Sequence, residues 1–167
     1  MGTLKLAEEG KLPPIPLHAS TQCDNRTLEK VKFFENLGVS RVILARETSL
    51  DRIKEICANT NCEIETFIHG ALCVSYSGQC YLSYAIGGRS ANRGECAQPC
   101  RKKYSLIDDK GNILAQDKHL LNLRDFNASG HIEELVNAGV KSFKIEGRLK
   151  DINYVKNVVA FYRREID

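Results

Sequence analysis

The sequence predicts an α/β fold, and three observations carry that expectation. Helical and strand-like apolar periods alternate along most of the chain. The grammar Asn36-Leu-Gly-Val recurs as Asn137-Ala-Gly-Val, each time a helix end, a glycine and the start of a β-branched run. The composition is that of a globular domain with a real core: 167 residues, 43% hydrophobic and 27% charged. It argues against a disordered tail or a low-complexity linker. No apolar run approaches the ~18 residues of a membrane span. The first residues lack the apolar core of a secretory signal, so a cytoplasmic, non-membrane protein is expected.

The elements follow in order. A helix that begins at Thr3 is broken by Gly10-Lys-Leu-Pro-Pro-Ile-Pro. Residues 15–20 read as a short strand. Leu28, Val31, Phe34 and Leu37 keep helical spacing, so residues 26–37 form a helix that stops at Gly38. Residues 39–45 are β-branched and apolar, a buried strand. Thr48 and Asp51 resemble a capping box, and Leu50, Ile53 and Ile56 continue the helix it opens. Residues 62–69 form the next strand, with Ile64, Phe67 and Ile68. A Gly/Cys-rich stretch over residues 70–103 has the character of a metal loop. A small β-hairpin insertion over residues 104–114 turns at Asp109-Lys-Gly-Asn, and residues 119–123 form another short strand. A helix over residues 132–138 ends at Gly139, and a strand covers residues 140–147. Asp151 then caps a last helix whose apolar face carries Ile152, Val155, Val159 and Tyr162.

Such alternation favours a parallel sheet with crossover helices. A complete (β/α) barrel takes ~250 residues, and only about four core strands are visible. The expected architecture is a partial (β/α) TIM-barrel-like domain, residues 1–167 forming a single unit that is a fragment of a longer barrel protein. Unpaired strand edges in such a unit invite self-association.

Cysteine usage is unusual. Seven cysteines without a secretory signal read as reduced thiols or metal ligands, and an odd count fits a disulfide framework badly. Cys23, Cys57 and Cys62 are scattered and read as core or surface thiols. Cys73, Cys80, Cys96 and Cys100 crowd together with spacing x6, x15 and x3 on a Gly-rich loop that follows a strand. Four thiolates so placed can surround one tetrahedral Zn²⁺ or one cubane iron–sulfur cluster. Spacing alone leaves both open.

The net charge of +3 is too small to announce nucleic-acid binding, but its distribution is uneven. Arg89, Arg93, Arg101, Lys102 and Lys103 flank the cysteines against one acid, Glu95. Lys141, Lys144, Arg148 and Lys150 form a second basic group around Glu146. Either group could hold a phosphate or another polyanion.

At the cysteine loop the residues reach a resemblance. Glu65-Thr-Phe-Ile-His-Gly-Ala-Leu-Cys73-Val-Ser-Tyr-Ser-Gly-Gln-Cys80-Tyr-Leu-Ser83 resembles the defining motif of peptidase family U-32, the collagenase-like proteases. Pro16-Leu-His-Ala-Ser-Thr-Gln-Cys-Asp-Asn-Arg, Leu44-Ala-Arg-Glu, Gly88-Arg-Ser-Ala-Asn-Arg-Gly-Glu-Cys and Ser142-Phe-Lys-Ile-Glu-Gly-Arg-Leu-Lys-Asp also resemble that family. They are most similar to the branch that hydroxylates a cytidine in large-subunit ribosomal RNA. The resemblance implies a barrel-like domain with a [4Fe–4S] cluster. It also implies hydroxylation of an RNA base, ribosomal or transfer, with prephenate as oxygen donor. Two other readings stay open: a U-32 peptidase, and a non-enzymatic RNA-binding fragment stabilised by a metal. The chain has no H-E-x-x-H and no G-x-S-x-G to support the peptidase.

Roles follow for particular residues. Cys73, Cys80, Cys96 and Cys100 are the expected cluster ligands. Lys144, Glu146 and Arg148 alternate along one strand and so share a face, where the cations could hold donor carboxylates or an RNA phosphate. Arg46 and Glu47 close another strand and, with His18, are expected at the same mouth. His69 precedes the cysteine loop and could bond substrate or a ligand sulfur. Arg89 and Arg93 are candidate phosphate contacts, and Tyr81, Tyr84 and Tyr104 candidate stacking surfaces for a base.

Overall fold

A computed structural model describes residues 2–167. Helix α1 covers Gly2–Glu8, and the prolines that follow shape the first strand. Pro13, Pro14 and Pro16 bring no N–H to a ladder, so the strand expected over residues 15–20 shrinks to β1, His18–Ala19. Helix α2 is Leu28–Asn36, and the Thr27 side chain caps it by accepting from the Lys30 N–H. Strand β2 is Arg41–Ile43. Leu44 and Ala45 stay buried beyond it: the Leu44 N–H still donates to the Glu65 carbonyl of the neighbouring strand, whereas the Ala45 N–H turns to the Asn25 carbonyl.

Helix α3 spans Leu50–Ala58. Its cap is Ser49, whose hydroxyl accepts from the Arg52 N–H, one residue later than the expected capping box at Thr48. Strand β3 is Glu63–Ala71. The cysteine stretch contains one short α-helix that periodicity did not reveal, α4, Leu82–Gly87, and two single 3-10 turns, Ala91–Arg93 and Pro99–Arg101. The hairpin forms as expected from β4, Tyr104–Ile107, and β5, Ile113–Lys118, a separate two-stranded sheet. Its turn is organised by Asp108, whose carboxylate accepts from the backbone N–H groups of Lys110 and Asn112.

Residues 119–123 do not form the expected strand. The strand lies further on as β6, Asp125–Asn127, which runs antiparallel to the end of β3. Helix α5 is Ile132–Asn137, strand β7 is Ser142–Glu146 and helix α6 is Ile152–Ile166. Asp151 caps α6 as expected, accepting from the N–H groups of Asn153 and Tyr154.

The main sheet is mixed and open. β1, β2, β3 and β7 lie side by side, parallel and in chain order. Glu65 pairs with Ile43 on one side and Ser142 on the other, while Gly70 pairs with Phe126 and Glu146. β7 therefore lines one edge of β3, and β2 followed by β6 share the other. The helices touch in chain order as well, α2 with α3, α3 with α5 and α5 with α6.

Between sheet and helices sits one apolar core, in which Val31, Val42, Ile56, Ile64, Ile68 and Tyr162 are all at most 2% exposed. Cys23, Cys57 and Cys62 pack against it as ordinary thiols. The packed face of α6 differs from expectation: Val158 and Tyr162 meet the core, whereas Ile152 and Val159 are 64% and 48% exposed. Two adjacent apolar stripes run along that helix. Tyr162 decides between them, because its hydroxyl donates inward to the Ile68 carbonyl at 2.8 Å. No helix among the described residues is long and apolar enough to cross a membrane.

Candidate metal centre

The C-terminal ends of the four parallel strands converge on one mouth. Asn25, fully buried, builds it: its Nδ2 donates to the carbonyls of Ser20 and Ile43, both at 2.9 Å, joining the segments after β1 and within β2. Gln22 follows β1, Arg46 and Glu47 follow β2, the cysteine loop follows β3, and Arg148 follows β7.

Cys73, Cys80, Cys96 and Cys100 all line a single cavity of about 90 Å³ there, together with Arg46, Glu146 and Arg148. All four are free thiols. Burial pushes the Cys73 and Cys100 thiols up, and neighbouring cysteines of the same four push them further. The backbone N–H of Gln98 donates to the Cys96 sulfur at 3.3 Å. Among the described residues, no three histidine, cysteine, aspartate or glutamate side chains draw together tightly enough to grip one ion. The donor set is thus four thiols arranged round a space, with one backbone donor already on a sulfur.

The loop is braced from every strand end. Glu47 accepts from the Ser77 N–H at 2.9 Å and from its hydroxyl at 3.0 Å. Gln22 Oε1 accepts from the Gly78 N–H at 2.9 Å. A Cβ on Gly78 would stand 2.2 Å from the Gln22 carbonyl oxygen, and φ is +79°, so glycine alone fits there. Arg148 donates to the Gly94 carbonyl at 2.6 Å and the Cys96 carbonyl at 3.2 Å. Arg101 donates to the carbonyls of Leu72 and Leu123 and pairs with Asp125.

Arg46 donates to Glu146 at 2.7 Å, and its guanidinium lies 4.1 Å from the centre of the Phe67 ring. The pair is 14% and 20% exposed, so each charge neutralises the other in a half-dry wall. Lys144 pairs with Glu65 at 3.1 Å and also faces Phe67. It shares the sheet face of Glu146 as expected, but it does not line the cavity.

The other predicted residues scatter. His18 is exposed and lines a cleft with Arg41 and Glu63 at the opposite ends of the strands. A bulge between Phe67 and His69 turns His69 toward α6, where its Nδ1 bonds the Tyr162 hydroxyl at 3.1 Å. His69 therefore does not line the cysteine cavity. Arg89 and Arg93 are exposed on the outer side of the loop, with Lys102 and Lys103. The second basic group is largely spent on ion pairs and on the loop's carbonyls, as Lys150 with Asp125 at 2.9 Å also shows. Tyr104 is held by its hydroxyl on the Pro99 carbonyl, while Tyr81 and Tyr84 are 70% and 61% exposed. Sequence reasoning missed Gln22, Asn25, Tyr76 and Ser77, none of which belongs to a periodic pattern.

The profile of Peptidase family U32 matches residues 1–167. The chain belongs to that family. Among curated relatives, this U32 chain is 54% identical over its whole length to the 23S rRNA 5-hydroxycytidine C2501 synthase of Escherichia coli, covering 25% of that protein. It is 43% identical, again over its whole length, to an uncharacterized protease of Methanocaldococcus jannaschii, covering 42% of it. Over 93% of the chain it is 40% identical to tRNA hydroxylation protein P1 of Bacillus subtilis, covering 38% of that protein. The U32 chain thus spans between a quarter and about two-fifths of these relatives. No solved structure matches it.

Proposed function

We propose that this chain is the cofactor-bearing part of a U32 RNA hydroxylase, acting on a cytidine or other base of ribosomal or transfer RNA. The observation that carries the proposal is the gathering of Cys73, Cys80, Cys96 and Cys100 around one cavity at the C-terminal ends of parallel strands. In the wider fold we read β1, β2, β3 and β7, with helices touching in chain order, as an arc of a (β/α) barrel, whose sites lie at that end.

The donor set fits an iron–sulfur cluster. Zinc held by four cysteines at ~2.3 Å brings its sulfurs to roughly 4 Å of each other, a closed point and not a space. Here the thiols stand round a cavity instead, and among the described residues no three metal-ligating side chains draw that close together. Cys73, Cys80, Cys96 and Cys100 would hold a [4Fe–4S] cluster, which supplies electron transfer when bound. The chain's own residues do the rest. The Gln98 N–H on the Cys96 sulfur favours negative charge at this centre. Arg148, which lines the cavity and whose guanidinium meets carbonyls and, among the described residues, no carboxylate, is placed to orient an anionic oxygen donor such as prephenate. Arg89, Arg93, Lys102 and Lys103 on the outer side are placed to meet RNA phosphates.

The peptidase reading lacks a base. Among the described residues no histidine lines the cavity, and each of His69, His119 and His131 is bonded to a group other than a thiol. The test is the nucleoside content of ribosomal and transfer RNA from cells deleted for the gene and complemented with wild type or Cys80→Ser. The proposal expects a nucleoside one oxygen heavier with wild type and none with the variant. Identical nucleosides in deleted and complemented cells would overturn it.

A further inference from the structure

Tyr76 stands between Cys73 and Cys80, lines the cysteine cavity, and is nevertheless 57% exposed. An aromatic ring so open, so close to the centre, has to be held in place by its surroundings, and it is. The Arg26 guanidinium covers one side of the ring at 4.3 Å from its centre. Arg26 is itself fixed by Asp24, donating to its Oδ2 at 3.0 Å. The same oxygen accepts from the Gln79 side chain at 3.1 Å, and the Gln79 N–H donates to the Tyr76 carbonyl, closing the turn under the ring. The next residue, Ser77, is 3% exposed and doubly bonded to Glu47. The ring is therefore a rigid platform, cation-backed on one side and open on the other, at the rim of the cavity.

We infer that Tyr76, backed by Arg26, is the surface on which an unpaired RNA base stacks when it is presented to the cysteine cavity. This rests on the RNA reading above and names the contact that places the base. Stacking on an aromatic face is the general way proteins hold a base taken out of its helix. The charge of the surrounding loop suits the occupant, since Arg89, Arg93, Lys102 and Lys103 are exposed on it. Tyr81 and Tyr84 do not line the cavity, and Tyr104 is tethered through its hydroxyl, so the candidates that the sequence offers serve less well.

The chain contains no tryptophan, so Tyr76→Trp installs a single fluorescent reporter at the platform. The probe is a cytidine-containing single-stranded RNA oligonucleotide, its binding followed independently by anisotropy of an end label. The inference expects saturable quenching of the introduced indole's emission, with the same midpoint as the anisotropy change. Tyr76→Ala weakens binding about tenfold, as loss of one base–aromatic stack does, and Tyr76→Phe keeps wild-type affinity. Anisotropy that saturates while the indole emission stays constant overturns the platform and leaves the RNA reading standing. Affinity of a folded Tyr76→Ala protein within twofold of wild type overturns it equally. No anisotropy change at all overturns both the RNA reading and the platform that rests on it.

Discussion

Glu47 and Ser77, thirty residues apart, are joined by two hydrogen bonds, from the Ser77 N–H at 2.9 Å and the Ser77 hydroxyl at 3.0 Å to the two carboxylate oxygens. The relationship ties the segment after β2 to the turn between Cys73 and Cys80. Glu47 thus serves as a strut for the loop, a different task from lining the mouth. Ser77 is almost completely buried, so removing its acceptor leaves a backbone N–H without a partner. Glu47→Ala should lose about 1–3 kcal/mol of stability, the usual cost of such a group. Glu47→Gln should lose less, since one amide oxygen can still accept the N–H. Urea unfolding of the two variants beside wild type checks the order.

Gly78 and Gly94 make a controlled comparison, because both have positive φ but only one is crowded. A Cβ at Gly94 meets nothing within 4 Å, whereas one at Gly78 would strike the Gln22 backbone at 2.2 Å. Gly94→Ala should carry only the left-handed penalty of about 1–2 kcal/mol. Gly78→Ala should cost well above that, because a backbone carbonyl cannot swing aside, and should displace the Cys73–Cys80 turn. Melting temperatures of the two variants decide it.

Acid sensitivity should come partly from Glu35, which lines the cleft of His18 and Cys62 and not the four-cysteine cavity. Hydrogen bonds from Thr60, Lys32 and Asn61 hold its carboxyl down from 4.5 to about 2. Because the folded state binds this proton less readily than the unfolded chain, the contribution is fully present above about 4.5 and is lost as pH falls toward 2. Glu35→Gln should be less stable than wild type at neutral pH and should lose less between pH 4.5 and pH 2. Denaturant midpoints across that range measure both differences. Equal slopes would show that Glu35 carries none of the effect.

What was legible in the sequence was whatever obeys a period or a spacing. The helices over 26–37 and from Leu50 follow their apolar stripes, and the grouping of Cys73, Cys80, Cys96 and Cys100 is plain in the letters. Contacts made across the fold were not. His69 turns toward Tyr162 because a bulge breaks the alternation of β3, and nothing local marks a bulge there. Arg101 looks like part of a basic surface but is half-buried among the carbonyls of Leu72 and Leu123. β6 forms only because the edge of β3 beyond β2 offers it partners, so its three residues carry no strand signal of their own. Tyr76 was hidden for the same reason: its cation, Arg26, comes from a segment fifty residues earlier.

Whether the four thiols around this cavity hold an iron–sulfur cluster is decided by purifying the protein without oxygen and analysing its iron and sulfide. The expectation is brown protein with ~4 iron and ~4 acid-labile sulfide per chain, both falling together in Cys73→Ser, Cys80→Ser, Cys96→Ser and Cys100→Ser. Colourless protein with one zinc per chain and no sulfide, unchanged in those variants, would contradict it.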